Sequence, residues 1–391
     1  MEDIYEKYQV KQVINASGKM TILGGSRVSE DICQQMNIGA SHFFEVKDLL
    51  DKTGNYLAAL IGVESAYIVN SASGAIAQSV AACVSRGKLQ YILDIYNPEN
   101  KKREVIICKG HNVDYGTPIE VTIGMGGGHV VEAGYANKCT LEHIEAKINE
   151  NTVALIYVKS HHCVQKGMPD MKAFIELGHR YHLPVIVDAA AEEDLKEPLK
   201  ESLKKRLPWL LVLLALGMVV SSVVGLFEQV VSQLTLIMCL LIGKKVFIDQ
   251  VKKQSQGIGR VMKVGKENIL GLTYAIEKYL SKEHLTLQQQ SQRLEIFNQK
   301  LNANDGISAR IIQDGAGRLI MRSEITFDEK KLSKNALQIA QALKEGELHI
   351  YTRDYRANEG KIEIDIRDVN DQELNMIYEK IVKIIGGRKD E

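Results

Sequence analysis

Short apolar runs alternate with amphipathic stretches through the first half of the chain. The runs are continuous rather than alternating in polarity, as expected for strands that are covered on both faces. Between two of them, PDMKAFIELGHRYH (Pro169–His182) carries apolar residues at helical spacing. This pattern predicts βαβ units around a mainly parallel sheet, an α/β fold. The predicted strands are AYIVNS (Ala66–Ser71), EVIICKG (Glu104–Gly110), HVVEAG (His129–Gly134), VALIYV (Val153–Val158) and PVIVDA (Pro184–Ala189).

The pattern changes after Asn268. Ile269–Leu287 and Gln288–Leu301 have the spacing of long amphipathic helices, and alternating runs follow with a turn signal at Asn358-Glu-Gly360. We therefore expect a large domain formed by residues 1–195 and 243–290, and a small C-terminal α+β domain of residues 291–391. Residues 196–242 stand apart as an apolar insert or replacement.

That segment is uncharged from Leu207 to Phe227, and after Glu228 its apolar character resumes as far as Gly243. The length satisfies the roughly 20 apolar residues that a bilayer crossing needs. Lys and Arg flank both ends, and the only tryptophan, Trp209, lies at one boundary, where an interfacial anchor is expected. The segment therefore predicts a membrane-contacting helix within residues 207–243. The alternative is a buried core segment of a globular domain.

Composition narrows the class of protein further. Lys plus Arg number 49 and Asp plus Glu number 49, so the formal net charge is zero, which argues against a general nucleic-acid binder. The six cysteines are scattered without a C-x-x-C pair, a spacing typical of reduced thiols in a cytoplasmic protein and without a metal-site signal. We expect a cytoplasmic location, with membrane association if the apolar segment forms an anchor.

Small and hydroxylated residues follow the first predicted strand. In NSASGAIAQS (Asn70–Ser79), a strand ends and a helix opens at Ser73, Gly74 and Ala75. A helix N-terminus presents unpaired N–H groups and a positive dipole end, and small side chains let a phosphate approach. The alternative is a plain serine cap with small residues for close packing.

Two more candidates follow strand ends. Asp188 closes the strand in VIVDAAAEEDL, so its carboxylate points into the crevice where ligands of parallel sheets bind. A buried aspartate there needs a partner, such as a protonated ring nitrogen; otherwise it caps the next turn. His111, in KGHNVDYG, could stack on a planar ligand or be a hydrogen-bonded surface histidine.

Arg260, Lys263 and Lys266 recur at three-residue spacing in SQGIGRVMKVGKENILGL (Ser255–Leu272). On a helix they would share one face and could bind an anion. A solvated charged face is the alternative.

These motifs together resemble the selenocysteine synthase-like group of fold-type-I pyridoxal-phosphate enzymes, and in particular its ammonia lyases. The resemblance covers the chain except for residues 196–242. It rests on VINASG (Val13–Gly18), VNSASGA (Val69–Ala75), VEAGYANKCT (Val131–Thr140), VIVDAAAEEDL (Val185–Leu195) and GIGRVMKVGKENILGL (Gly257–Leu272).

The resemblance implies pyridoxal 5'-phosphate as cofactor and a small anionic amino acid as substrate. Ser73, Gly74 and Ala75 would hold the cofactor phosphate, and Asp188 would pair with the pyridinium nitrogen. His111 would lie near the ring face. Arg260 and Lys263, with Lys266 as a third cation, would bind the anionic end of the substrate. The reaction would be α,β-elimination to a 2-oxo acid and ammonia, in a homo-oligomer with sites at subunit interfaces.

One departure from this family concerns its lysine, which binds the cofactor covalently about two dozen residues after the aspartate. Here no lysine occurs between Lys205 and Lys244, and the expected strand with its lysine-bearing turn is missing from the sequence pattern. Residues 204–234 instead resemble the first transmembrane helix of MgtE-type magnesium transporters. We therefore expect impaired lyase turnover.

The same sequence leaves two alternative functions open. One is selenium transfer onto seryl-tRNA; the group's tRNA-acting members carry an N-terminal region before the VINASG motif, which here begins at Val13, and the zero net charge also disfavours tRNA. The other is a membrane-anchored protein without catalytic activity.

Overall fold

The computed structural model describes residues 3–18, 20–25, 27–160, 163–189, 221–224, 239–281, 286–314 and 320–386. It divides the chain into two compact units. The larger unit is Val28–Lys282, and the smaller unit combines Met1–Arg27 with Glu283–Glu391. The sequence pattern predicted that the N-terminal residues belong to the large domain, and the predicted boundaries at residues 195, 243 and 290 stay predictions.

The described strands of the larger unit are β2 (Ser65–Val69), β3 (Glu104–Cys108), β4 (His129–Ala133), β5 (Thr152–Val158), β6 (Val185–Asp188), β7 (Ser221–Val224) and β8 (Cys239–Gly243). Five of them form a parallel sheet at the centre of the unit, in the order β4-β3-β5-β6-β7. Beside it, β8 contacts β7 and pairs antiparallel with β2. The predicted parallel α/β architecture is confirmed.

Helices of the larger unit follow the strands and cover the sheet. They are α2 (Glu30–Ser41), α3 (Val46–Ile61), α4 (Ala72–Ser85), α5 (Leu89–Leu93), α6 (Ile119–Met125), α7 (Leu141–Glu145), α8 (Met171–Arg180), α9 (Lys245–Lys253) and α10 (Lys266–Leu280).

Strand β5 shows why its sequence is continuously apolar. Ile156 and Val158 belong to the core cluster that contains α4, whereas Leu155 and Tyr157 belong to the cluster that contains Phe174 of α8. Successive side chains of a strand point to opposite faces, so a strand between two helical layers has no solvent-facing position. The same alternation determines which face of the sheet the side chain at the end of each strand points to.

The described parts of the apolar segment differ from the predicted membrane helix. Ser221–Val224 is a strand whose backbone pairs parallel with β6, and Cys239–Gly243 is a buried strand against β2. β-branched and apolar residues favour strands that fit a covered sheet. Among the described residues, no helix has both the length and the apolar character that a bilayer crossing requires. The rest of residues 207–243 lies outside the described residues, as do Lys196, Lys200, Lys204 and Lys205.

The sequence pattern also suggested that the strand after Asp188 was missing, and this was wrong. The β7 backbone occupies the sheet position next to β6, with Asp188 opposite Val224. The lysine expected after it is still not in the sequence, because the first lysine beyond Lys205 is Lys244.

The smaller unit is an α+β arrangement with its own core. Strand β1 (Gln12–Ala16) pairs parallel with β11 (Leu348–Thr352), and β12-β10-β9 form an antiparallel sheet. Ile14, Phe297 and Ile364 are among its buried core residues. The remaining elements are α1 (Ile4–Tyr8), α11 (Leu287–Asn302), β9 (Ile307–Gln313), β10 (Met321–Phe327), α12 (Ala336–Leu343), β12 (Lys361–Asp365) and α13 (Asp371–Gly386).

Candidate active site

The carboxyl edge of the parallel sheet brings the main candidates into one region. β3 leads through a 3-10 turn to His111, β6 ends at Asp188, and β2 leads into α4. Val158, the last residue of β5, is opposite Asp188, and the Lys159 N–H donates to the Asp188 carbonyl over 2.7 Å. Parallel strands all end at the same edge, which is where open α/β sheets bind ligands.

Asp188 is a buried carboxylate on the α4 side of the sheet. It follows Ile186 by two residues, and Ile186 belongs to the α4 core cluster, so the pleat places the two side chains on one face. Burial, and then the charge of Asp188, raises the pKa of the Cys163 thiol to about 12. The same two effects raise the pKa of Cys239. The negative charge of Asp188 thus helps to keep both neighbouring thiols protonated and neutral at physiological pH.

The start of α4 is held by its own cap. The Ser71 hydroxyl accepts a hydrogen bond from the Gly74 N–H over 2.9 Å, and the Ala75 N–H donates to the Ser71 carbonyl. A Cβ on Gly74 would lie 2.2 Å from Oδ1 of Asn70, so a larger residue here would displace the Asn70 amide. Ala75 is buried in the core, whereas Ser73 is half-buried at the helix start. Their predicted part in phosphate binding stays a prediction.

His111 is fully buried, with 0% of its surface exposed, so it is not the surface histidine of the alternative interpretation. The Val158 N–H donates to its Nδ1 over 3.4 Å, and its ring meets the Tyr157 ring edge-on at 4.6 Å. Burial lowers the pKa of His111 to about 4, so the ring is neutral at physiological pH. With Nδ1 accepting, the proton is on Nε2, and this buried N–H has no partner among the described residues.

Tyr115 and Thr122 were not among the candidates predicted from the sequence, yet both lie near Ser73. The Tyr115 side chain packs against the α4 core cluster, and its hydroxyl lies next to Ser73 and Thr122. Locally, Asp114 Oδ1 accepts from the Gly116 N–H over 2.8 Å, and Gly116 has a φ of 107°. The Asp-x-Gly turn could have been recognised in the sequence, but not the destination of the tyrosine between its two turn residues.

The predicted basic helix face is not formed. Arg260 ends a 3-10 turn (Ile258–Arg260), Lys263 lies in an irregular segment, and Lys266 begins α10. The three cations therefore do not share one helical face, because the chain turns at Gly257 and enters the helix only after Gly265. Arg260 and Lys263 are exposed. Their role in substrate binding stays a prediction.

Lys266 has a structural position instead. Its Nζ donates to the carbonyl oxygens of Gly39, Ala40 and His42 over 2.8, 2.6 and 2.6 Å. These carbonyls belong to the end of α2, where the last helical C=O groups lack partners within the helix and favour a cation. With three acceptors around it, the ammonium group is committed to capping α2.

Lys244, the first lysine after the apolar segment, lies at the opposite edge of the sheet from Asp188. In the β2–β8 pair, Cys239 is opposite Val69 and Gly243 is opposite Ser65, so β8 runs away from the carboxyl edge. Lys244 lies near His179, whose pKa is lowered by burial and then by the Lys244 charge. Lys244 thus does not replace the family's missing lysine.

Comparisons with known proteins agree with this architecture. The chain is 38% identical over 382 residues to D-glucosaminate-6-phosphate ammonia lyase of Salmonella typhimurium, covering 98% of each chain. It is 25% identical over 353 residues to L-seryl-tRNA(Sec) selenium transferase of Aquifex aeolicus, covering 81% of this chain and 72% of the relative. A solved structure of D-glucosaminate-6-phosphate ammonia-lyase matches with a TM-score of 0.85 and 37% identity, covering 100% of both chains.

The fold is that of the fold-type-I pyridoxal-phosphate enzymes. A family model described as L-seryl-tRNA selenium transferase matches residues 13–336, and the chain belongs to this family. The match runs through residues 204–234, so the resemblance of that stretch to a magnesium transporter is not supported.

Pyridoxal 5'-phosphate is the cofactor of this family, and the described residues fit it. The Asp188 carboxylate suits a protonated ring nitrogen, the start of α4 suits a phosphate, and the unpartnered Nε2–H of the buried His111 suits an acceptor on the ring. When bound, the cofactor supplies an electron sink for charge that develops at the substrate α-carbon.

Proposed function

We propose that the protein is a pyridoxal-phosphate-dependent ammonia lyase that acts on an anionic amino acid or amino sugar acid. The reaction is an α,β-elimination whose products are a 2-oxo acid and ammonia. The observation that carries the proposal is the buried carboxylate of Asp188 at the carboxyl edge, facing the side of the sheet on which α4 lies. The 38% identity to D-glucosaminate-6-phosphate ammonia lyase over nearly the whole chain supports the reaction class.

The residues of the chain have separate tasks in this proposal. Asp188 holds a proton on the cofactor ring nitrogen, because a buried carboxylate stabilises the charged form of its partner. His111 stays neutral and donates from Nε2. Arg260 and Lys263 are exposed cations that hold the anionic end of the substrate, whereas Lys266 is occupied at the end of α2.

The missing lysine limits the rate. The resemblance implies a lysine that binds the cofactor covalently, and this chain has no lysine between Lys205 and Lys244. In our proposal the same amine would also move the α-proton. The substrate and cofactor can still bind through the residues above. We therefore propose a lyase with slow turnover, in which binding is retained and proton transfer is impaired.

The test is release of 2-oxo acid and ammonia from D-glucosaminate 6-phosphate in the presence of added pyridoxal 5'-phosphate. We expect slow release of both products in equal amounts, dependent on the cofactor and lost in Asp188→Asn. The exposed Asp94→Asn is the matched control and should keep the rate. A rate that does not depend on the cofactor, or that Asp188→Asn leaves unchanged, contradicts the proposal.

Selenium transfer onto seryl-tRNA is less supported than the lyase. The selenium transferase of Aquifex aeolicus is 25% identical to this chain, against 38% for the lyase relative, and the net charge of zero provides no basic surface excess for tRNA. A homo-oligomer remains part of the proposal, and light scattering of the full chain would measure it.

A further inference from the structure

A group of hydroxyls lies beside the start of α4 without being used by the fold. Thr122, on α6, is 1% exposed, and its Oγ1 has no hydrogen-bond partner among the described residues. The hydroxyl oxygen of Tyr115 is also buried, and no described residue makes a hydrogen bond of normal geometry with it. Buried polar atoms in folded proteins are almost always satisfied, so two neighbouring exceptions need a physical reason.

The Tyr115 hydroxyl lies between two parts of the site. The hydroxyls of Ser73, in the first turn of α4, and of Thr122 are close enough to interact with it, and Asp188 is close enough for its charge to act on it. Burial, and then Asp188, raises the pKa of Tyr115, so the phenol stays protonated and can donate. A donor beside the N-terminus of a helix is placed to bind an anion.

We propose that Tyr115 is a specificity-determining residue of the cofactor site, which donates a hydrogen bond to a phosphate oxygen of pyridoxal 5'-phosphate and is positioned by Thr122. The proposal rests on the cofactor of the proposed function, not on the lyase reaction. It accounts for both unsatisfied hydroxyls: Tyr115 donates to the phosphate at the first turn of α4, and the Thr122 hydroxyl donates to the phenol oxygen. The cofactor thereby satisfies groups that the protein leaves open.

The test compares two ligands that differ only in the phosphate. Pyridoxamine 5'-phosphate and pyridoxamine have no aldehyde, so neither reacts with lysines, and their fluorescence permits a direct binding titration of the full chain. Hydrogen bonds to charged groups are among the stronger ones. We expect Tyr115→Phe to weaken pyridoxamine 5'-phosphate by roughly tenfold or more and to leave pyridoxamine within about twofold.

Tyr96→Phe is the matched control. Tyr96 is 56% exposed, and its hydroxyl donates to the Met125 carbonyl over 3.0 Å, so its loss should leave both affinities unchanged. Thr122→Val is the second variant: it keeps the shape of the side chain and should weaken the phosphorylated ligand alone, by less than Tyr115→Phe. An unchanged midpoint of unfolding shows that each variant is folded.

Three results would overturn the inference. The first is that Tyr115→Phe lowers the affinity for both ligands equally, and the second is that neither Tyr115→Phe nor Thr122→Val lowers the affinity for pyridoxamine 5'-phosphate. The third is that the unmodified chain does not bind pyridoxamine 5'-phosphate. Phosphate-selective weakening supports it even if the chain has no lyase turnover. Failure of the proposed reaction is thus distinguishable from failure of this inference.

Discussion

The backbone N–H of Val158 donates to Nδ1 of His111 over 3.4 Å, which ties the end of β5 to the turn after β3. This bond fixes the proton of the neutral ring on Nε2. The histidine is thereby a buried, uncharged donor at the carboxyl edge of the sheet.

This environment predicts a pH dependence of stability. The pKa of His111 is lowered from 6.5 to about 4, so the unfolded chain takes up a proton at a higher pH than the folded chain does. Stability is therefore complete above the unfolded pKa and decreases as pH falls from about 6.5 towards 4. Between pH 7.5 and 5 the loss is about 2 kcal/mol. Urea unfolding should show a smaller loss in His111→Phe than in the unmodified chain, whereas the exposed His129→Phe should show the full loss.

Gly257 precedes the turn that carries Arg260 and has no room for a side chain. A Cβ there would lie 1.9 Å from the carbonyl oxygen of Ile92, which is backbone and cannot rotate away. We expect Gly257→Ala to destabilise the larger unit by about 3 kcal/mol, as overpacking against a fixed neighbour does. Gly124→Ala is the control, since nothing lies within 4 Å of a Cβ there. Equal unfolding midpoints for the two variants would contradict this close approach.

Lys266 should matter for stability more than for the substrate. Lys266→Met removes a charged donor from three carbonyl oxygens at the end of α2, which should cost about 1–3 kcal/mol. The exposed Lys47→Met should change stability by less than about 0.5 kcal/mol. Thermal unfolding measures both. A Lys266→Met variant of unchanged stability but weaker substrate affinity would restore the substrate-binding role predicted from the sequence.

In the smaller unit, Arg322 lies between two carboxylates. Its guanidinium is 2.5 Å from Asp314 and 3.1 Å from Asp365, and all three side chains are at most 3% exposed. Burial acts to raise the pKa of Asp365, but the charges of Arg367 and Arg322 lower it overall. Arg322→Met should cost about 3–5 kcal/mol at pH 7, because it removes a buried cation from both carboxylates, although Asp365 keeps its pair with Arg367.

The sign of the pH effect distinguishes this from simple loss of packing. In the unmodified chain, the lowered pKa of Asp365 stabilises the fold above the unfolded pKa near 4 and is lost below it. In Arg322→Met the carboxyl pKa values rise, so the deficit in stability relative to the unmodified chain should become smaller from pH 7 to pH 5. Arg310→Met is the control, because Arg310 is 69% exposed and should change stability by about 1 kcal/mol or less. A variant whose deficit is independent of pH would refute the electrostatic cause.

The missing lysine predicts chemical rescue. If proton transfer at the α-carbon is slow because no lysine amine is present, a small primary amine such as methylamine should raise the rate of 2-oxo acid release, since it supplies the absent base. The rate should increase with the concentration of the free amine and hence with pH. Potassium chloride at the same ionic strength supplies no base and should not raise the rate. Turnover that is rapid without amine would show that another lysine of the chain carries the cofactor.

Much of the larger unit was predictable from the sequence, because it depends on local periodicity. Continuous apolar runs in β3, β5 and β6 follow from burial on both faces, and a carboxylate at the end of a parallel strand is necessarily at the ligand-binding edge. The sequence motifs around Ser73 and Asp188 could be recognised because each is a continuous stretch that follows or ends a buried strand. The apolar segment misled, because its described parts, Ser221–Val224 and Cys239–Gly243, are short strands, and a short apolar run does not by itself distinguish a covered strand from a helix.

The sequence by itself determined the parallel α/β class, the family, and the positions of Asp188 and His111 at strand ends, since each follows from the order of residues along one element. Only the tertiary structure decided which distant residues meet. It committed Lys266 to the end of α2, placed Lys244 at the wrong edge for catalysis, and brought Tyr115 and Thr122 beside Ser73. These outcomes depend on how separate helices and strands pack, and periodicity along the chain carries no information about the distance between them.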